Sequence, residues 1–182
     1  MFKKFSLAEN MSGKTQVKAS TVRGIRAKLV EQFPGLEPHM DEIIPKKTTI
    51  VQIKCRDRIV LYTQNSEIIC FQHFDDPLTP TLHLLHQYPD ILPKVQVDRG
   101  AIKFVLSGAN IMCPGLTSAG ARLPAENLPV GTIVAVMAEG KEHALAIGVT
   151  TMTIADIKSV NKGTGIDLIQ YLNDPLWKTH LD

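Results

Sequence analysis

The chain has 182 residues, is 44% hydrophobic and 21% charged, and carries a formal net charge of +2. That apolar fraction excludes a mainly disordered chain, and no run of about 18 apolar residues is present to make a membrane span. A charge this small does not by itself announce a nucleic-acid binder, but its distribution is uneven: residues 1–58 carry a net of +6, residues 59–93 a net of −4, and residues 94–182 a net of zero.

Residues 1–15 are polar and weakly patterned and read as a loose lead-in, without the apolar centre of a secretory signal. Residues 20–33 read as an amphipathic helix, with Val22, Ile25, Leu29, Val30 and Phe33 on one stripe, Ser20 or Thr21 as its cap, and Pro34-Gly35 as its stop. Arg26 lies about 40° from Val22 around that helix, so it is either a snorkelling stem or one side of a buried pair. A short helix over Leu36–Ile44 follows. The period then changes to two, giving strands at Thr49–Lys54, Arg58–Tyr62 and Glu67–Phe71, the last two joined by a turn at Gln64-Asn65-Ser66. Thr79 as N-cap and Pro80 at the first helical position open a short helix, which Pro89 and Pro93 end.

The second half begins with an edge-like strand, Val95–Val97, and a short helix over 99–107 on which Ala101, Phe104 and Val105 share a face. Gly108 suits a left-handed cap, and Asn110–Cys113 resumes an extended chain that Pro114-Gly115 turns. Thr132–Met137 is apolar enough to be a strand buried on both faces. A hairpin turn at 138–142 returns through His143–Val149, Thr153 opens a helix to Asn161, and Ile166–Leu172 is a final strand. The fold class is α+β: an N-terminal module (1–92) with antiparallel sheet, a second module (93–172), and a tail (173–182).

The search for reacting groups is short. No phosphate loop, dinucleotide fingerprint or Gly-x-Ser-x-Gly elbow occurs. Cys55, Cys70 and Cys113 lack metal-clip spacing and are odd in number, so they read as reduced thiols. His83 and His86 stand three apart and either share a metal with Asp75 or Asp76 or simply occupy an exposed helix face. No nucleophile, base or metal cluster stands out, so catalysis is not expected and no cofactor is called for.

The stretch Val97–Leu116, with Val130–Met137 and Ala144–Val149, resembles a PUA domain, which implies a PUA-type β pseudobarrel over 93–172. Met1-Phe2-Lys3-Lys4-Phe5, Glu31-Gln32-Phe33-Pro34-Gly35, Pro45-Lys46-Lys47, Pro80-Thr81-Leu82 and Tyr171-Leu172-Asn173-Asp174 extend the likeness to nearly the whole chain, which resembles the malignant T-cell-amplified sequence 1 family. Departures fall at residues 6–20, 118–129 and after Asp174. The resemblance implies a cytoplasmic, non-catalytic translation factor. With density-regulated protein as partner, it would bind the small ribosomal subunit, promote tRNA release and recycling, and promote reinitiation after upstream reading frames. An accessory RNA-binding role in an RNA-modification system is the alternative, and neither role involves a membrane.

By the same resemblance the RNA-binding ledge comprises Arg99, Lys103, Ser107, Gly108, Ala109 and Asn110, with Lys141 at the hairpin tip. Arg99 and Lys103 supply phosphate charge, and Asn110 donates and accepts at a 2′-hydroxyl or base edge. Gly108 either lets backbone approach the nucleotide or is a helix cap alone. In the first half, from the placement of charge, Lys14, Lys18, Arg23, Lys28, Lys46 and Lys47 are candidates for a second contact with ribosomal RNA, above all Arg23, Lys28, Lys46 and Lys47. Phe71, Phe74, Leu78, Leu82, Leu85 and Tyr88 are mostly core and include partner contacts. Trp177 either clamps the tail or anchors a partner, and Thr79-Pro80 is a minimal proline-directed kinase site unless Thr79 is purely structural.

Overall fold

The computed structural model describes residues 1–182, which divide into two compact units: Phe5–Leu84 with Thr179–Asp182, and Met1–Lys4 with Leu85–Lys178. The first four residues therefore belong to the second unit, and the last four to the first.

In the first unit a single turn, α1 (Leu7–Asn10), leads into β1 (Met11–Gln16), where the sequence predicts only a loose lead-in. Five of the six β1 residues are exposed, so no apolar alternation marks the strand; it forms because its backbone pairs antiparallel with β2 (Val51–Cys55) at the sheet edge. The predicted amphipathic helix is α2 (Ala19–Gln32), which buries Val22, Ile25 and Leu29. Its N-cap is Lys18, and no side chain caps it, so Ser20 and Thr21 lie inside the helix. A 3-10 turn (Pro34–His39) and α3 (Met40–Ile43) replace the one helix expected over 36–44, because Pro38 lacks an N–H for the α-helical ladder. Arg26 resolves as a half-buried partner: its guanidinium donates to the Asp41 carboxylate at 2.6 Å and to the Ile44 carbonyl.

Strands β3 (Ile59–Gln64) and β4 (Glu67–His73) form the expected hairpin, turned by left-handed Asn65 and Ser66. Thr79 and Pro80 do not start a helix. They are β5, paired with Phe71 and Cys70 of β4, and α4 (Leu82–Gln87) begins after them. The residue that caps α4 is Thr81, whose hydroxyl donates to the Ile68 carbonyl at 3.0 Å and accepts from the Leu84 amide at 3.3 Å. The resulting sheet runs β1-β2-β3-β4-β5 in chain order.

The second unit starts with β6 (Lys94–Val97), a 3-10 turn (Arg99–Ala101), α5 (Ile102–Leu106), β7 (Ile111–Met112) and α6 (Pro114–Thr117). β8 (Ile133–Ala138), buried at five of six positions, and β9 (Ala146–Thr150) form the late hairpin. α7 (Ile154–Val160) is capped by the Thr153 hydroxyl, which accepts from the Asp156 amide, and β10 (Thr164–Tyr171) closes the order β6-β8-β9-β10-β7. β6 and β8 pair in parallel, the one exception to the antiparallel expectation. Val97, Cys113, Leu116, Val134, Val136, Ile157 and Ile166 lie in one buried cluster.

Candidate nucleic-acid interface

Asp98 builds the start of the candidate ledge. One carboxylate oxygen accepts from the Ala101 amide at 2.9 Å, and the other accepts from the Ser118 hydroxyl, so the turn carrying Arg99 is held at both ends. The Arg99 amide donates to the Glu139 carboxylate at 3.1 Å. The Arg99 guanidinium lies across Gly140 in the β8–β9 turn, where a Cβ would sit only 2.6 Å from its Nη2. Lys141 follows in that turn and is exposed, so Arg99 and Lys141 meet at one rim. Lys103, the second residue of α5, is exposed too, its Nζ 5.1 Å from the centroid of the Phe104 ring.

The α5 terminus does not present an open backbone. Gly108 is left-handed, with φ +86°, and its amide donates to the Val105 carbonyl at 2.9 Å, which is the cap geometry predicted. Yet Gly108 is buried: the place a Cβ would take is filled by the Lys3 side chain, with the Tyr171 ring 3.0 Å away. The freedom of this glycine serves the helix cap, and the Lys3 side chain lies over it. Ala109 is half-buried, its amide donating to the Phe104 carbonyl. The Ser107 hydroxyl donates to that same carbonyl at 2.7 Å. Asn110 is exposed but its Oδ1 already accepts from the Leu168 amide at 2.9 Å, leaving the side-chain N–H groups as its outward chemistry.

Beside these groups lies a cleft of about 740 Å³, with Ala101, Val105 and Ile111 among its lining and Phe104 and Met112 at its lip. Phe104 is 56% exposed and Met112 51%. No Lys or Arg lines this cleft, so the ledge combines exposed cations with a separate apolar cleft rather than forming a uniformly basic surface. Sequence reading placed Phe104 on a shared helix face with Val105. It missed that Val105 turns inward while the Phe104 ring stays in solvent, since one position of helical rotation separates them.

In the first unit Arg23, Lys46 and Lys47 line one cleft of about 970 Å³, whereas Lys28, exposed on α2, does not contribute to it. Glu31, Glu37 and Asp41 share the lining, so this second basic set is partly balanced by carboxylates. The Arg26 hydrogen bond holds the Asp41 carboxyl below the usual carboxylate range. Of the apolar set, Phe71, Leu78, Leu82 and Leu85 are buried, Tyr88 is half-buried, and Phe74 is exposed. All three thiols are free and buried, and burial pushes Cys70 up to about 12. His86 stacks on His143 with centroids 5.3 Å apart, lies 5.1 Å from the Trp177 ring, and contacts the Ala144 carbonyl at 2.8 Å through Nε2. Trp177 thus packs the tail onto the second unit. No helix is long and apolar enough to cross a membrane.

The Pre-PUA-like domain family matches residues 5–89 and the PUA domain family residues 93–172. Among solved structures, a hypothetical protein from Pyrococcus horikoshii shares the fold at a TM-score of 0.73, with 24% identity over 91% of this chain and 98% of that one. A conserved PUA domain protein from Thermoplasma acidophilum does so at 0.67 and 18%, over the same shares. Malignant T-cell-amplified sequence 2 of Mus musculus is 56% identical over 97% of both chains. Translation machinery-associated protein 20 of Saccharomyces cerevisiae is 57% identical over 97% of both, and that of Schizosaccharomyces pombe 54% over the full length of both. With more than half of its residues shared from end to end, and a Pre-PUA-like unit preceding a PUA unit, the chain belongs to the family of the malignant T-cell-amplified sequence proteins and translation machinery-associated protein 20.

Proposed function

We propose that this chain is a non-catalytic, cytoplasmic translation factor. Together with density-regulated protein it binds the small ribosomal subunit, promotes tRNA release and subunit recycling, and promotes reinitiation after upstream reading frames. The observation that carries this reading is the two-part surface of the PUA unit: exposed Arg99, Lys103 and Lys141 on one part, and on the other an apolar cleft lined by the solvent-facing Phe104 ring, the residue next to Lys103. Cations attract phosphate and release counterions. An exposed aromatic beside an apolar cleft suits a protein anchor instead. On this reading RNA takes the rim and the partner protein takes the cleft. The full-length likeness to translation machinery-associated protein 20 supports the ribosomal setting.

Two variants separate the halves of the surface. Arg99→Glu with Lys103→Glu weakens binding to purified small subunits and flattens its salt dependence in a filter-binding titration, since two phosphate contacts lower the log–log slope by about 2. Phe104→Asp removes capture of density-regulated protein while the subunit salt slope stays. Unchanged affinity and slope in the double variant would defeat the RNA assignment.

A further inference from the structure

The first unit carries a surface that the proposed function leaves unused. In its sheet, Gln52 pairs with Tyr62, and Lys54 and Gln72 both pair with Val60. Directly opposed residues share a face. Tyr62 also pairs with Cys70, so Gln52, Lys54, Val60, Tyr62, Cys70 and Gln72 project from one side of β2–β4. Ile53, Leu61 and Phe71 project from the other, and all three are buried. On the first side Lys54 is exposed, Gln52, Val60, Tyr62 and Gln72 are half-buried and Cys70 is buried, so this side is open only around Cys70, and no carboxylate stands among its six residues.

Two steps beyond the Val60–Gln72 pair, after Ile59–His73, the ladder ends in an unusual way. The Phe74 amide donates to the Arg58 carbonyl at 2.9 Å, and both residues are left-handed, with φ +54° and +59°. Bulky side chains adopt that conformation only where the surroundings impose it, and such strain clusters at binding sites. Here it leaves the Phe74 ring 52% exposed, with the Arg58 guanidinium carbon 4.3 Å from its centroid.

We propose that Phe74, backed by Arg58, and the neighbouring sheet face of Tyr62, Gln52 and Gln72 form a stacking platform for single-stranded RNA. Aromatic rings take any base by its π-face, and the Gln52 amide can hydrogen-bond a base edge, while Gln72 Nε2 donates to the Asp76 carbonyl at 2.8 Å and keeps its amide oxygen as an acceptor. The electrostatics decide what kind of site this is. Lys54, Arg56 and Arg58 are matched by exposed Asp57, Asp75 and Asp76, with Asp76 also 3.3 Å from His73. Affinity here comes from stacking, and its salt dependence is shallow, in contrast to the Arg99–Lys103 rim. The inference rests on the RNA-binding reading and adds a second, chemically different RNA site to it.

Fluorescence anisotropy of labelled oligouridylate with the intact chain tests it. Phe74→Ser weakens binding about tenfold, the worth of one stacked base, leaves the salt slope unchanged, and Phe74→Tyr restores affinity. The ring is surface-exposed, so a thermal melt of Phe74→Ser matches wild type. Arg99→Glu with Lys103→Glu leaves oligouridylate binding intact while weakening small-subunit binding. Wild-type oligouridylate affinity in Phe74→Ser overturns the platform and leaves the rim assignment standing. So does a Phe74→Ser variant that loses a protein partner but no RNA, which reassigns the surface. Absence of both oligouridylate and subunit binding in the wild-type chain removes the RNA reading altogether.

Discussion

Both units contain a five-stranded sheet, but the two are assembled by opposite logic. In the first, strand order follows chain order, so each strand pairs with its predecessor in sequence. In the second, β7 waits for β10, and β6 pairs in parallel with β8 across the whole α5–α6 segment. Local pairing costs little loop entropy and shows as alternation in neighbouring segments, whereas distant pairing costs more and leaves no local mark. The contrast predicts where each sheet is vulnerable.

The largest effect is expected at the centre of the second sheet. Ile147→Ala, in β9 and fully buried, costs ~2–5 kcal/mol by urea unfolding, with Trp177 fluorescence as the reporter in that unit. Hydrogen exchange then shows protection falling in β6 and β7 as well as in β9, because neither strand has a partner close in sequence. Loss confined to β9 would break the comparison.

Glycine sharpens it next. Gly148 of β9 has the Ile166 side chain where a Cβ would go and the Asp167 carbonyl at 3.0 Å, so Gly148→Ala costs ~1–3 kcal/mol. Gly13 of β1 has nothing within 4 Å of that position, and Gly13→Ala stays within about 0.5 kcal/mol of wild type. Melting the two variants side by side checks both.

A smaller effect separates the two threonines ahead of α4. Thr81→Val removes the cap and costs about 1 kcal/mol, while Thr79→Val, whose hydroxyl makes only a 3.4 Å contact to the Pro77 carbonyl, costs less. Equal costs would restore Thr79 as the structural residue. The smallest effect is chemical. With its thiol pushed up to about 12, Cys70 stays protonated through pH 7–9, and mass spectrometry after iodoacetamide treatment finds it unmodified until the first unit unfolds.

Legibility differs between the units for the same reason. Helix α2, the hairpin of β3 and β4, and the α7 cap at Thr153 followed from period and cap chemistry over a few residues. The strand β1 did not, because an exposed edge strand has no buried face to impose alternation. Thr79-Pro80 carried a sound helix-start signal that pairing with β4 overrode. In the candidate site, the cations Arg99, Lys103 and Lys141 were legible as charges at a helix and a turn. The apolar cleft between their neighbours was not, since Phe104 and Met112 look like core residues to any local pattern.

By itself, then, the order of residues determined the α+β class, the positions of most elements, the left-handed turn at Gly108 and where the cations fall along them, because each depends on neighbours within a few positions. Tertiary structure alone decided that Lys3 and Tyr171 close over Gly108, that Arg26 is held by Asp41, and that the Phe104 and Phe74 rings are left in solvent. Those outcomes depend on which distant residue arrives to fill a space, and close packing settles that only when the chain is folded.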